Sequence, residues 1–263
     1  MSYRLDLLPP ETAVAEPRDE VLSRLRRYLM HADPWGEGAV PERDRVMALG
    51  IDAVDAALPW GGLPLGCLHE IAGPAEDGAA TGFGAFLLGR LAERGGPVLW
   101  ITAEDDLYGS GLAGFGLTPE RLVVAATRRP SETLWAMETA LRCRDLAGVL
   151  VEPRGAVDFV ASRRLQLAAR ASGVTGLVLC RGAAEAAPSA AITGWQIAAA
   201  PGAAPGWRPR WHVTLARCRG RLQGEAGYVD RWCLDGDGTP YRFAVAAGSV
   251  DRPLVAASAG LAR

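Results

Sequence analysis

Gly73-Pro74-Ala75-Glu76-Asp77-Gly78-Ala79-Ala80-Thr81 follows an apolar run, Cys67–Ala72 (CLHEIA), and leads into a helical pattern over Thr81–Arg94. Its two glycines have the spacing of G-x-x-x-x-G-K-[ST], the loop whose backbone N–H groups cradle phosphates. In that motif a lysine reaches the β/γ oxygens and a hydroxyl holds magnesium, but these positions are Ala79 and Ala80 here. Thr81 supplies one hydroxyl and cannot replace both groups. No other lysine can step in, because all 28 basic residues are arginines. Arg90 lies three helical turns on, roughly 16 Å along the axis, too far to bend back. Glu76 and Asp77 set two carboxylates where a triphosphate would lie. Each is worth about 4 kcal/mol against a phosphate charge at ~4 Å and an effective dielectric near 20. Gly73, Glu76, Asp77, Gly78, Ala79, Ala80 and Thr81 therefore read as a vestigial nucleotide site, with no ATP, metal or other cofactor expected.

The chain around this loop is long enough, at 263 residues, to bury a full core. A net charge of −2 argues against a generic nucleic-acid binder. Lysine and asparagine are both absent, a bias that a GC-rich genome explains. Cys67, Cys143, Cys180, Cys218 and Cys233 form no C-x-x-C pair, and His31, His69 and His212 are isolated, so neither zinc nor a disulfide framework is indicated. Asp6 and Glu11 interrupt any signal-peptide core, and prolines break the uncharged run Ala186–Trp207, so a soluble cytoplasmic protein is expected.

Three segments are expected: residues 1–45, a core over 46–245, and a small-residue-rich, disordered tail over 246–263. Within the first, Val21, Leu22, Leu25, Tyr28 and Leu29 recur at helical spacing. This amphipathic helix either packs on its own domain or reaches a partner, so Leu22, Leu25 and Leu29 are candidate interface residues. From Val46 strands and helices alternate. Pro97–Thr102, Leu122–Ala126, Gly148–Glu152 and Thr175–Cys180 read as strands. Helices run from a Ser131 cap to about Asp145, with Leu134, Met137 and Leu141 on one face, and over Asp158–Ala171. This alternation predicts an α/β fold with a mostly parallel, right-handed central sheet flanked by helices. After Pro188 the helices stop. Ile192–Ala199, Trp211–Arg217, Tyr228–Leu234 and Tyr241–Val245 read as antiparallel C-terminal strands, the last two joined by an Asp-Gly turn.

Leu58-Pro59-Trp60-Gly61-Gly62-Leu63-Pro64-Leu65-Gly66-Cys67-Leu68-His69-Glu70-Ile71-Ala72-Gly73-Pro74 resembles the entry to the RecA-like P-loop NTPase core, where a G-G-L-P-x-G turn feeds the strand before the loop. Thr102-Ala103-Glu104 is similar to the motif carrying RecA's catalytic glutamate, and Val149-Leu150-Val151-Glu152 to the Walker B strand. The resemblance covers roughly residues 46–235. The small size, the lost lysine and the run Trp211-His212-Val213-x-Leu215-x-Arg217-x-Arg219-Gly220 look most like the ImuA family, RecA-like accessory proteins of bacterial inducible mutagenesis. The resemblance implies a non-catalytic role in the translesion machinery. Its partners would be an inactive Y-family polymerase homologue (ImuB-like) and an error-prone C-family DNA polymerase, with RecA as a further candidate. Pro153–Val157 and Arg181–Ala190 stand where RecA has long DNA-binding loops, and they are short and lack stacking aromatics. DNA contact is expected to be indirect or weak, and no membrane is involved. Without a working loop, Glu104 and Glu152 read as solvated strand-end carboxylates. Alternatives are a RecA-derived cell-division inhibitor (SulA-like), although those chains are shorter, and a weak RecA-type ATPase.

Arg217, Arg219 and Arg221 alternate along one strand, with Arg208 and Arg210 upstream. A solvated edge is one reading; DNA phosphates or an acidic partner are others. If the chain self-associates as RecA does, Arg217 and Arg219 would face Glu76 and Asp77 of the next copy. Of the eight tryptophans, Trp100 and Trp195 read as core, while Trp35, Trp60 and Trp207 lie in Pro/Gly-rich loops as candidate partner anchors.

Overall fold

A computed structural model describes residues 43–182, 188–201, 209–219, 230–236 and 242–246. Its axis is β3 (Leu68–Gly73), buried in every residue, as a strand paired on both edges and covered on both faces must be. On one side β3 pairs in parallel with β7 (Thr175–Arg181), followed by β6 (Gly148–Glu152), β4 (Val98–Thr102) and β5 (Leu122–Ala126), all parallel. On its other side lies β8 (Thr193–Ala199), still parallel. Then come the antiparallel β9 (Arg210–Cys218), β10 (Arg231–Gly236) and β11 (Phe243–Val245). The order β11-β10-β9-β8-β3-β7-β6-β4-β5 makes one nine-stranded sheet. A two-stranded antiparallel pair, β1 (Val46–Met47) with β2 (Leu63–Pro64), stands beside it.

Five α-helices accompany these strands among the described residues: α1 (Asp52–Ala57), α2 (Ala79–Glu93), α3 (Gly109–Ala113), α4 (Pro130–Ala140) and α5 (Phe159–Ser172). α2 is apolar almost all round, which suits a helix sunk into the core. Phe83, Phe86, Leu87 and Leu88 share one cluster with Trp100, Leu150, Leu179, Trp195 and Trp211. Gly82 lets α2 lie against Trp211, since a Cβ there would stand 2.9 Å from the indole ring. Trp211 stacks in turn on Phe243 at 4.5 Å between ring centroids, which ties the antiparallel strands to α2. On the opposite face Met137, Leu141 and Leu165 of the α4 and α5 region pack on Val149, Val151 and Val178.

The mostly parallel sheet with antiparallel C-terminal strands stands as the sequence predicts, and Trp100 and Trp195 are core residues, 0% and 1% exposed. Three details differ. α4 starts two residues earlier than a Ser131 cap allows: Arg129 is the cap residue, Pro130 opens the helix, and Glu132 accepts the backbone N–H of Arg129 at 3.2 Å. The helix also ends at Ala140 instead of near Asp145. Trp60 is half-buried and packs beside Cys67 and Ile192 instead of standing free. Trp35, Trp207 and Arg208, the helix expected to carry Leu22, Leu25 and Leu29, Arg221 and residues 247–263 of the tail lie outside the described residues, while Ala246 is buried.

Candidate functional site

The loop after β3 keeps its shape for reasons of packing. A Cβ on Gly73 would fall on the carbonyl oxygen of Ile197 in β8, so glycine is dictated by the neighbouring strand. Gly78 sits at φ +65°, the left-handed turn that starts α2. Ala79 and Ala80, where a lysine and a hydroxyl would stand, are buried in the apolar cluster, 3% and 1% exposed. Thr81 is half-buried and Glu76 is exposed.

Asp77 provides the electrostatic centre of the loop. Its Oδ1 accepts the backbone N–H of Ala79 at 2.9 Å and its Oδ2 accepts that of Ala199 at 2.8 Å. A helix N-terminus offers unpaired donors and a positive dipole end, which is why such loops attract phosphate. Here a carboxylate of the same chain takes that place and ties the start of α2 to the end of β8. Sequence reading singled out Asp77 in this loop but gave no sign of its second partner on β8.

The acidic side of the site is closed in the same manner. Glu152, at the end of β6, is 5% exposed and ion-paired to Arg181 at the end of β7. Arg181 also donates to Asp106 at 2.7 Å. Burial raises the Glu152 carboxyl above its ordinary value, against the opposing pull of Arg181. Glu152 is therefore not a solvated carboxylate, and the expectation made for it is corrected. Glu104 is exposed at the end of β4, yet Arg154 donates to it at 2.9 Å while also binding the carbonyl of Ala103 at 2.7 Å. Neither Arg181 nor Arg154 stood out in the sequence, because each lies in a different segment from its acid. A cavity of about 410 Å³ opens between these groups, bounded by Asp77, Tyr108, Phe115, Arg181, Arg210 and Trp211. Its donor set does not fit a triphosphate with magnesium: the anion seat holds a carboxylate, and the buried acid of β6 holds a guanidinium.

Arg217 is likewise engaged within its own chain. Its Nη2 meets Glu70 Oε2 at 2.6 Å, across Gly194, which pairs with Glu70 on one side and with Arg217 on the other. β9 is an interior strand between β8 and β10, so the solvated-edge reading is corrected. Within one chain, Arg217 is paired with Glu70, and Asp77 accepts two backbone N–H groups. Arg219 is half-buried just beyond the end of β9. Burial and the nearby Glu70 carboxylate push the Cys180 thiol up to about 12, so it is no nucleophile. His69 is fully buried, held by Thr193 Oγ1 at 2.7 Å and the Pro64 carbonyl at 2.9 Å.

A mostly parallel sheet with its glycine loop after the central strand, a buried helix behind that loop and an antiparallel extension define a RecA-like core. Relatives of that class are found in sequence: the mitochondrial DNA repair protein recA homolog 3 of Arabidopsis thaliana is 27% identical over 143 residues, 54% of this chain and 32% of that protein. RecA of Clostridium botulinum is 29% identical over 125 residues, 45% of this chain and 35% of that protein. No family model matches the chain. Protein ImuA of Caulobacter vibrioides is 37% identical over 234 residues, spanning 82% of this chain and 94% of that protein. The chain belongs to the ImuA family, and with it to the RecA-like proteins of DNA-damage-induced mutagenesis. Among the described residues, no helix is long and apolar enough to cross a membrane.

Proposed function

We propose that this chain is a non-catalytic adaptor of damage-induced translesion synthesis, working in the cytoplasm through protein–protein contacts. Residues 46–245 act as its RecA-like core and residues 1–45 as an appended arm. One observation carries the reading: Asp77 fills the phosphate seat while Arg181 neutralises Glu152. A loop that already carries a carboxylate against its N–H donors repels a triphosphate, and without a lysine it has no group aimed at the leaving oxygens. What remains useful is a rigid sheet presenting surfaces to other proteins. The partners that fit this role are an inactive Y-family polymerase homologue and an error-prone C-family polymerase, with RecA as a third.

Two measurements test the reading on the full chain. Calorimetric titration with ATP and magnesium should show no heat of binding, and micromolar affinity would refute the non-catalytic account. Co-purification with the Y-family homologue should give a stable complex; failure of two pure, folded proteins to associate would end the adaptor account.

A further inference from the structure

α4 and α5 lie side by side on the sheet face away from α2, and they carry four of the large apolar side chains exposed among the described residues. Trp135 is 67% exposed, Val160 69%, Phe159 51% and Leu167 47%. Monomeric surfaces scatter such residues singly; a Trp and three further apolar groups on two adjoining helices is a patch. The patch is also basic. α5 contains Arg163, Arg164 and Arg170 and no acid, in a chain whose net charge is −2. Glu138 of α4 is the acid at the seam, and it is already used twice, by Arg142 at 2.7 Å and by Arg164. Of these, the Arg164 pair links α5 to α4 across the seam. Helical spacing then sets Trp135 and Glu138 on one stripe of α4, with Arg142 just past its end, and Val160, Arg164, Leu167 and Ala171 on one stripe of α5. Arg163 flanks the second stripe and is exposed.

From this arrangement we propose that the α4/α5 face is the docking surface for an acidic, amphipathic segment of a partner protein. Trp135, Val160 and Leu167 would accept its apolar side chains, while the exposed Arg163 faces its carboxylates, with Arg142 and Arg164 shared with Glu138. Charge complementarity selects the acid, and the apolar anchors select protein over nucleic acid. A phosphate backbone satisfies arginines but offers nothing to Val160 or Leu167, whereas exposed Trp and aliphatic side chains beside an arginine suit a protein interface. The face is distinct from the closed phosphate loop, which lies at the α2 side of the sheet. This inference rests on the adaptor reading and names the surface that would serve it.

The test uses the full chain carrying Val160→Glu, Arg163→Glu and Leu167→Glu together, with Trp135→Ala as an independent second variant. All four side chains are exposed, so circular dichroism and the melting temperature should match the parent. Binding is measured against the purified Y-family polymerase homologue and, separately, a 30-nucleotide single-stranded DNA. The proposal expects at least a tenfold loss of affinity for the polymerase homologue in both variants, and a parent affinity that falls as salt rises. Unchanged polymerase binding by both folded variants would overturn the surface while leaving the adaptor reading standing. A loss confined to DNA would also overturn it, in favour of phosphate recognition. If the parent itself bound no polymerase homologue, the adaptor reading would fall first and this surface with it.

Discussion

Glu70 of β3 and Arg217 of β9 are 147 residues apart in the chain and meet at 2.6 Å. They reach each other because Gly194, on the strand between them, has no side chain; a Cβ there would lie 3.2 Å from Arg217 Nη2. The pair joins the parallel and antiparallel halves of the sheet. Glu70 is 5% exposed, so removing its partner strands a buried charge.

Arg217→Leu should therefore destabilise the fold by about 3–5 kcal/mol, and Glu70→Leu with Arg217→Leu by clearly less, because the double change leaves no lone charge. Urea midpoints of the singles and the double decide this. A double variant no better than Arg217→Leu alone would show that the pair contributes little beyond packing.

His69 gives the fold an acid limb. Burial lowers its pKa from 6.5 to about 4, so the unfolded chain takes up a proton that the folded chain refuses. Stability from this group is complete above pH 6.5 and is lost as the pH falls towards 4, by about 3 kcal/mol over the whole window. His69→Gln should have a shallower loss between pH 7 and 5. Parallel slopes in the two proteins would assign the acid sensitivity to other groups.

Removing the guanidinium from the β6 acid should reverse that pH trend locally. In Arg181→Ala, Glu152 stays buried without its cation, and its already raised pKa climbs further. The folded state then binds this proton more tightly than the unfolded chain. Stability should accordingly decline as pH rises through the ordinary glutamate range and flatten above the new folded value. Glu152→Gln in the same background should abolish the decline.

Asp77→Ala removes the acceptor of two backbone N–H groups and should cost about 1–2 kcal/mol, in the range of a lost helix cap. Restoring the motif alone, with Ala79→Lys and Ala80→Thr, should give no ATP binding, because Asp77 still holds the anion seat. ATP binding by that double variant, with Asp77 intact, would show that the carboxylate yields to phosphate.

The sequence displayed the sheet well, because PVLWIT at 97–102 and GVLVE at 148–152 are short apolar runs that only buried parallel strands need. Two helices left almost no trace: α3 is GSGLA, poor in helix formers, and α1 is a single short turn held by Asp55 bonding the N–H of Leu49 at 2.8 Å. Arg217 and Arg219 looked like a solvated edge because alternation shows a strand's faces without showing its neighbours. Gly194 was the available clue, since a glycine inside a strand marks a close approach. The absence of the motif's lysine and hydroxyl was legible residue by residue at Ala79 and Ala80. The partners of Asp77 and Glu152 were not, because Ala199 and Arg181 come to the site through the fold, and no spacing announces them.

The carboxylate of Asp77 is covalently part of the loop it fills. A phosphate seat occupied by a ligand has a filled and an empty form, and an enzyme can use that alternation as a timer. Under the proposed reading, a seat filled by its own chain has one form at every ATP to ADP ratio. Under the adaptor reading, control over this protein then passes from nucleotide turnover to supply: how many copies are made, how long they last, and which partners are present to meet them.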